Sequence, residues 1–156
     1  MEESSKELTR AKNTVFRLFK IRQQSEKEVI EKLQRKQIPT EAIKKAVRYF
    51  TELELIDDRK FAKGWINARL KKPFGFNRIR QELKNKGIAQ DIIDEELAKA
   101  TSDYPQSEVV VALAKRRAEK YYDIPEEKIK QRVYGYLVRR GFHSADIFKA
   151  LKELFK

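Results

Sequence analysis

The chain contains no cysteine, a single histidine, five glycines and four prolines in 156 residues. Without thiols, disulfides, thiolate catalysis and cysteine-based zinc sites are excluded. His143 stands in a turn with no nucleophile or carboxylate pair at ligand spacing beside it, so it reads as structural or exposed. There is no glycine-rich phosphate loop, G-x-S-x-G or H-E-x-x-H. The longest unbroken apolar run, Val109 to Ala114, is far short of the about 18 residues that span a bilayer. Nor does a basic region followed by an apolar core open the chain. A soluble cytoplasmic protein, not an enzyme and with neither metal nor cofactor, is expected.

Acidic residues are also in the minority: 36 Lys and Arg face 24 Asp and Glu, a net charge of +12 at pH 7. Such a field favours an anionic partner. The hydrophobic share of 40%, with nine Phe, six Tyr and one Trp, separates the chain from disordered polybasic sequences. The few Gly and Pro, the abundance of Lys, Glu, Leu, Ile and Ala, and the lack of strand alternation predict an all-α protein.

One helical phrase is written three times. Leu33 to Ile43 aligns without gaps on Leu83 to Ile93 and on Leu137 to Ile147. The period of about 50 residues is that of stacked supersecondary units. Three tandem three-helix repeats are expected, over 1–55 with an N-terminal tail, 56–102 and 103–156, packed on one another into an elongated body. Gly87 and Gly141 fit the left-handed residue just past a helix end, whereas Gln37 occupies that place in the first copy.

Start signals divide the units further. Ser25 to Glu28 reads as a capping box, and Asp123-Ile-Pro-Glu126 resembles one. Asp57, Thr40, Ser107 and Ser144 are further candidate caps. Apolar faces are expected at Val15, Phe16, Leu18 and Phe19 in the first helix and at Ile147, Phe148, Leu151 and Leu154 in the last. Phe61 and Trp65 should lie in the central core. The adjacent pairs Asp57-Asp58, Glu95-Glu96 and Glu126-Glu127 diverge by about 100° on a helix, so they read as caps and first-turn charge and not as acid–base pairs.

The candidate binding residues are basic. Arg69, Lys71, Lys72, Arg78, Arg80, Lys84 and Lys86 face one acid, Glu82, within a single stretch that carries half the net charge. Arg80 and Lys84, one turn apart beside the Ile79/Leu83 stripe, should project together to solvent. Phe74 and Phe76 flank Gly75 among them, a mixture that suits phosphates and stacked bases, although the two rings read first as hydrophobic packing at the junction between units. Lys115, Arg116 and Arg117 form a second cluster, and Arg139 and Arg140 a third.

The segment Leu53-Glu-Leu-Ile-Asp-Asp-Arg-Lys-Phe-Ala-Lys-Gly-Trp-Ile-Asn-Ala-Arg69, followed by Gly75-Phe-Asn-Arg-Ile-Arg-Gln-Glu-Leu-Lys-Asn-Lys-Gly-Ile88, resembles the signature of the RecX family. The triple repeat and the chain length extend the likeness over nearly the whole chain. The resemblance implies a non-enzymatic regulator of the bacterial recombinase RecA: three three-helix units lying in the groove of the RecA filament on single-stranded DNA, restraining recombinase, ATPase and coprotease activities in DNA repair and the SOS response. A monomer that contacts RecA, single-stranded DNA and also double-stranded DNA fits that picture. The strong basic balance exceeds what RecA contact alone requires, which adds weight to direct DNA contact. The competing readings are a helical-repeat DNA-binding protein with no recombinase partner and, more remotely, a nuclease that would have to gather carboxylates for Mg²⁺ from distant helices.

Overall fold

The structure, a computed structural model, describes residues 2–156. Those residues form nine helices: α1 (Glu2–Ile21), α2 (Glu26–Arg35), α3 (Thr40–Glu52), α4 (Asp58–Lys71), α5 (Phe76–Asn85), α6 (Gln90–Thr101), α7 (Gln106–Ala118), α8 (Glu126–Arg139) and α9 (Ser144–Leu154). No strand occurs among the described residues. Helix α1 begins at Glu2, so the residues expected as a tail are its first turns.

The thrice-written phrase is a helix-ending device. Ile38, Ile88 and Phe142 donate their backbone N–H to the carbonyls of Leu33, Leu83 and Leu137, each at 3.1 Å. Gln37, Gly87 and Gly141 donate to Gln34, Lys84 and Val138 at 2.9, 3.0 and 2.9 Å. This double bond pattern defines the Schellman turn, in which the residue past the cap is left-handed and the next one packs back on the helix. Residues 37, 87 and 141 have φ of 59°, 81° and 99°, so Gln37 adopts the left-handed conformation that the other copies give to glycine. The three leucines, Ile38, Ile88 and Phe142 are all buried. A fourth such turn closes α3, with Glu54 at φ 59°.

The caps follow the sequence only in part. Ser25 makes the full capping box with Glu28, and Asp57 accepts from the Lys60 N–H at 3.1 Å. Thr40, Ser107 and Ser144 lie inside their helices, whose N-caps are Pro39, Pro105 and His143 without a side-chain bond. Pro125, not Asp123, caps α8. A Schellman turn delivers the chain to the next helix after only two further residues, and this fixes the start of α3, α6 and α9 ahead of any hydroxyl.

Each unit has its own core. Ala11, Val15, Val29, Leu33, Ala46 and Phe50 are among the buried residues of the first. Phe61, Ile66, Ile79, Leu83 and Ile93 belong to the second, and Val110, Val133, Leu137, Phe142 and Ile147 to the third. The expected stripes need two corrections: Phe16 and Phe148 are 43% and 60% exposed, each resting one face on a neighbouring ring, Phe50 and Tyr134 respectively.

The units meet through polar joints instead of a shared apolar core. At the first joint the Ser25 hydroxyl, which also accepts from the Glu28 N–H, donates to the Lys86 carbonyl at 2.7 Å. Lys27 Nζ reaches the Asn85 carbonyl at 3.2 Å, and the Glu26 N–H donates to Asp58 at 2.9 Å. At the second joint the N–H groups of Gly75 and Asn77 donate to the carbonyls of Arg140 and Gly141 at 2.7 and 2.9 Å. The first turn of α2 thus sits on the last turn of α5, and the first turn of α5 on the last turn of α8. At the second joint orphan donors of one helix satisfy orphan acceptors of the next, at the first side chains do so, and at both the dipoles run positive end to negative end. The body is extended: it exposes 10287 Å², against about 8,200 Å² for a compact monomer of this mass.

Glu28 at the first joint is a pH handle. Burial alone would raise its pKa, but hydrogen bonds from Arg22 and from the Ser25 N–H, with the charges of Arg22 and Lys86, bring it below the usual carboxylate value. A depressed carboxylate adds stability that is present above its unfolded pKa and lost as pH falls through the folded one. The melting-temperature gap between the native chain and Glu28→Gln should therefore close as pH drops from about 6 to about 3. A gap that is constant with pH would remove the ionised carboxylate from the joint.

Candidate binding surface

The structure separates the twelve basic candidates into engaged and free groups. Arg80 is bonded to Asp94 at 2.6 Å in an exposed ion pair, so its charge is partnered where that of Lys84 is not. Arg69 is paired with Glu82 at 2.9 Å and Lys86 with Glu28 at 3.4 Å. Arg140 pins the second joint, donating through Nε to the Pro73 carbonyl at 3.2 Å and through a terminal nitrogen to the Lys72 carbonyl. Lys71, Lys72, Lys84, Lys115, Arg116 and Arg139 are exposed and have no carboxylate partner among the described residues.

Glu82, the lone acid of the basic stretch, organises its surroundings. It accepts from Trp65 Nε1 at 3.3 Å and from Arg69, while Arg78 Nε lies 3.9 Å away, beyond hydrogen-bonding reach. Trp65 stacks on the buried Phe61 with ring centres 5.5 Å apart and is itself half-buried. Phe76 is buried against Tyr104, whereas Phe74 has a different setting.

Phe74 is a rung in a run of alternating rings and cations. The Arg132 guanidinium carbon lies 5.2 Å from the Tyr121 ring centre. Arg117 lies 5.8 Å from Tyr121 and 4.5 Å from Tyr136, and Arg140 lies 5.6 Å from Tyr136 and 4.4 Å from Phe74. Arg78 and Arg69 reach the same Phe74 at 4.2 and 5.2 Å. Arg69 continues to Trp65 at 4.9 Å, where Lys86 also sits, at 5.4 Å. The ladder therefore crosses the second joint and ends, through Lys86 and Glu28, at the first. Each cation over a ring gains about 0.5–2 kcal/mol, more as water is excluded. Six cations share only Glu82 and Glu28 as carboxylate partners, so the run is strongly positive.

Two buried polar atoms beside the ladder have no partner among the described residues, Arg117 Nε and the Tyr104 hydroxyl. Burial pushes the Tyr104 pKa up, against the charge of Arg140, which draws it down. Tyr121, Arg132 and Tyr136 were not among the sequence candidates. They fall outside the repeated phrase, and the one cue was the density of Tyr and Arg over 121–140.

Asp57 caps α4, and Asp58, Glu126 and Glu127 stand in helix first turns as expected, but the third acidic pair does not. Glu95 and Glu96 lie in the middle of α6, not at its start, and both bond one guanidinium, Arg59, at 2.8 and 3.0 Å. One terminal nitrogen of Arg59 bridges both carboxylates although they diverge along the helix. Burial would raise the Glu96 pKa, but bonds from Arg59 and Lys99 bring it below the usual value. Asp58 serves the first joint, and Glu126 and Glu127 stand in the first turn of α8 beside Lys130. Among the described residues no three His, Cys, Asp or Glu side chains gather in a metal-binding cluster, and no helix is long and apolar enough to cross a membrane.

Comparison with known proteins agrees with this architecture. Family models for RecX match twice, the second three-helix domain at residues 57–97 and the third three-helix domain at residues 105–151. The chain is 35% identical over 148 residues to the regulatory protein RecX of Chlorobium phaeobacteroides (strain BS1), covering 94% of this chain and 95% of the relative. It is 33% identical over 133 residues to the regulatory protein RecX of Haemophilus influenzae (strain PittEE), covering 85% and 86%. The crystal structure of RecX from Lactobacillus salivarius superposes with a TM-score of 0.83 at 23% identity, over 96% of this chain and 97% of that one, a likeness of fold.

Proposed function

The chain belongs to the RecX family of regulatory proteins, and on that premise we propose that it binds the RecA filament on single-stranded DNA and restrains its recombinase, ATPase and coprotease activities during DNA repair. The observation that carries the reading is an extended row of three units bearing exposed cations without carboxylate partners. Such a body reaches along a filament while presenting charge to acidic protein surfaces and phosphates. Occlusion and bridging, not bond chemistry, are the mechanism, and the protein acts as a cytoplasmic monomer without a cofactor. The units divide at about 55 and 102.

The contact set divides by what each side chain is free to do. Lys71, Lys72, Lys84, Lys115, Arg116 and Arg139 meet the filament, while Arg69, Arg80, Lys86 and Arg140 hold the surface in shape. The test is RecA-catalysed ATP hydrolysis on single-stranded DNA with the protein substoichiometric to DNA. Charge reversal at Lys71, Lys72 and Lys84 should raise the amount needed for half inhibition at least about tenfold, a loss of roughly 1.4 kcal/mol, with the helical circular dichroism unchanged. Undiminished inhibition by that variant would displace the contact face.

A second reading, a DNA-binding helical repeat with no recombinase partner, draws on the net charge of +12. It requires inhibition to appear only once the DNA is coated. Inhibition far below DNA saturation favours the regulator.

A further inference from the structure

We propose that the cation–ring ladder is a single-strand nucleic-acid track, in which Arg78, Arg117 and Arg132 take phosphates and present their outer planes to unstacked bases. The proposal rests on the reading above and adds the side chains that contact the strand and the means by which they select it. Its basis is an inequality among the five ladder arginines. Arg140 donates to the carbonyls of Lys72 and Pro73, and Arg69 is ion-paired with Glu82 at 2.9 Å through one terminal nitrogen. Arg78, Arg117 and Arg132 lie over Phe74, Tyr136 and Tyr121 yet make no hydrogen bond among the described residues; Arg78 has only a 3.9 Å approach to Glu82, and Arg117 Nε is buried with no acceptor.

A guanidinium held over a ring with N–H donors left unpaired is prepared for an anion. Its rotamer is already restricted, so little further ordering opposes binding. Its edge offers a fork of N–H donors that matches phosphate oxygens, and its outer plane is a stacking surface. Phosphate donors alternating with flat faces match a single strand, whose bases are free to stack, at about 1–3 kcal/mol per base. In a duplex the base faces are already occupied by their neighbours, so only the phosphates remain to be read. An acidic peptide would use the edges and leave the planes idle.

The test uses the full-length protein without RecA, titrated into fluorescein-labelled oligothymidylate of about 15 nucleotides and followed by anisotropy at several salt concentrations. Arg78→Gln/Arg117→Gln/Arg132→Gln should bind at least tenfold more weakly, and the slope of log K against log salt should become shallower by about 2, at roughly 0.7 per phosphate on a single strand. Arg132→Gln alone, on an exposed side chain, should reduce the slope by about 0.7 and guards against misfolding of the triple variant. An abasic strand of the same length and the corresponding duplex should each bind the native chain at least tenfold more weakly than oligothymidylate.

Equal affinity for the abasic strand or the duplex overturns the stacking track. So does an unchanged salt slope in the variants, or displacement of the oligonucleotide by polyglutamate at equal charge concentration. Inhibition of RecA ATPase by the triple variant separates the two readings. Weakened oligonucleotide binding supports the track whether or not inhibition survives, and inhibition that is absent from the native protein itself counts against the RecA reading alone.

Discussion

Gly141→Ala is expected to destabilise the protein by about 2–5 kcal/mol. Two effects act together. At φ 99° a side chain meets the left-handed penalty of about 1–2 kcal/mol. The added methyl would also fall 2.5 Å from the backbone nitrogen of Arg78 and 2.4 Å from its Cβ, so the first turn of α5 has to retreat. Overpacking of this kind adds about 1–3 kcal/mol. Retreat loosens the bonds from Gly75 and Asn77 that make the second joint. The melting temperature should fall by about 4–20 °C, taking about 2–4 °C per kcal/mol for a chain of this size. Gly87→Ala meets mainly the side chain of Lys27, which yields more readily, so its effect should be smaller. Should alanine at 141 be tolerated within a degree or two, the joint is not the tight contact described.

Leu83→Ala should cost about 2–5 kcal/mol as well, by the other mechanism available to a core, a cavity. Leu83 is fully buried, and its carbonyl holds the Ile88 N–H that turns α5 toward α6. The substitution keeps that carbonyl and empties the centre of the second core. Because the three cores are separate, the damage should be uneven. Hydrogen exchange should accelerate over α4 to α6 while α1 to α3 keep most of their protection. Uniform loss of protection along the chain would show that the joints couple the units as tightly as a common core does.

These two residues illustrate how far the linear pattern reaches. The leucine anchors recur at 33, 83 and 137 because each serves two local needs at once, filling a core and closing a helix, and local needs repeat with the unit. Nine helices, the all-α class and the left-handed turns at Gly87 and Gly141 were readable for that reason. Glycine at 87 and 141 but glutamine at 37 has a tertiary cause. A neighbouring unit presses its helix start on residues 87 and 141, whereas at the end of α2 the Lys36 carbonyl accepts from Arg10 of the same unit at 2.6 Å. Thr40, Ser107, Asp123 and Ser144 misled because their composition suits caps, while the preceding turns and prolines set the helix starts. Glu54 gave no sign of its left-handed turn.

The basic stretch over 69–86 was legible as charge but not as a surface. Charge and aromatic content are sums over the chain, and they hold whatever the fold. Which cation remains free is decided by partners that the chain brings from afar: Arg140 on Lys72, Lys86 on Glu28 and Arg117 on Tyr136. Helical periodicity carries information over one or two turns, and these pairings join different helices, two of them across units. So the number of units, their cores and the sign of their field were already written in the order of residues. The polar joints, and the division of arginines into those that hold the body together and those left to hold a ligand, exist only once the units are stacked, because hydrogen bonds and ring contacts depend on distance in space and not along the chain.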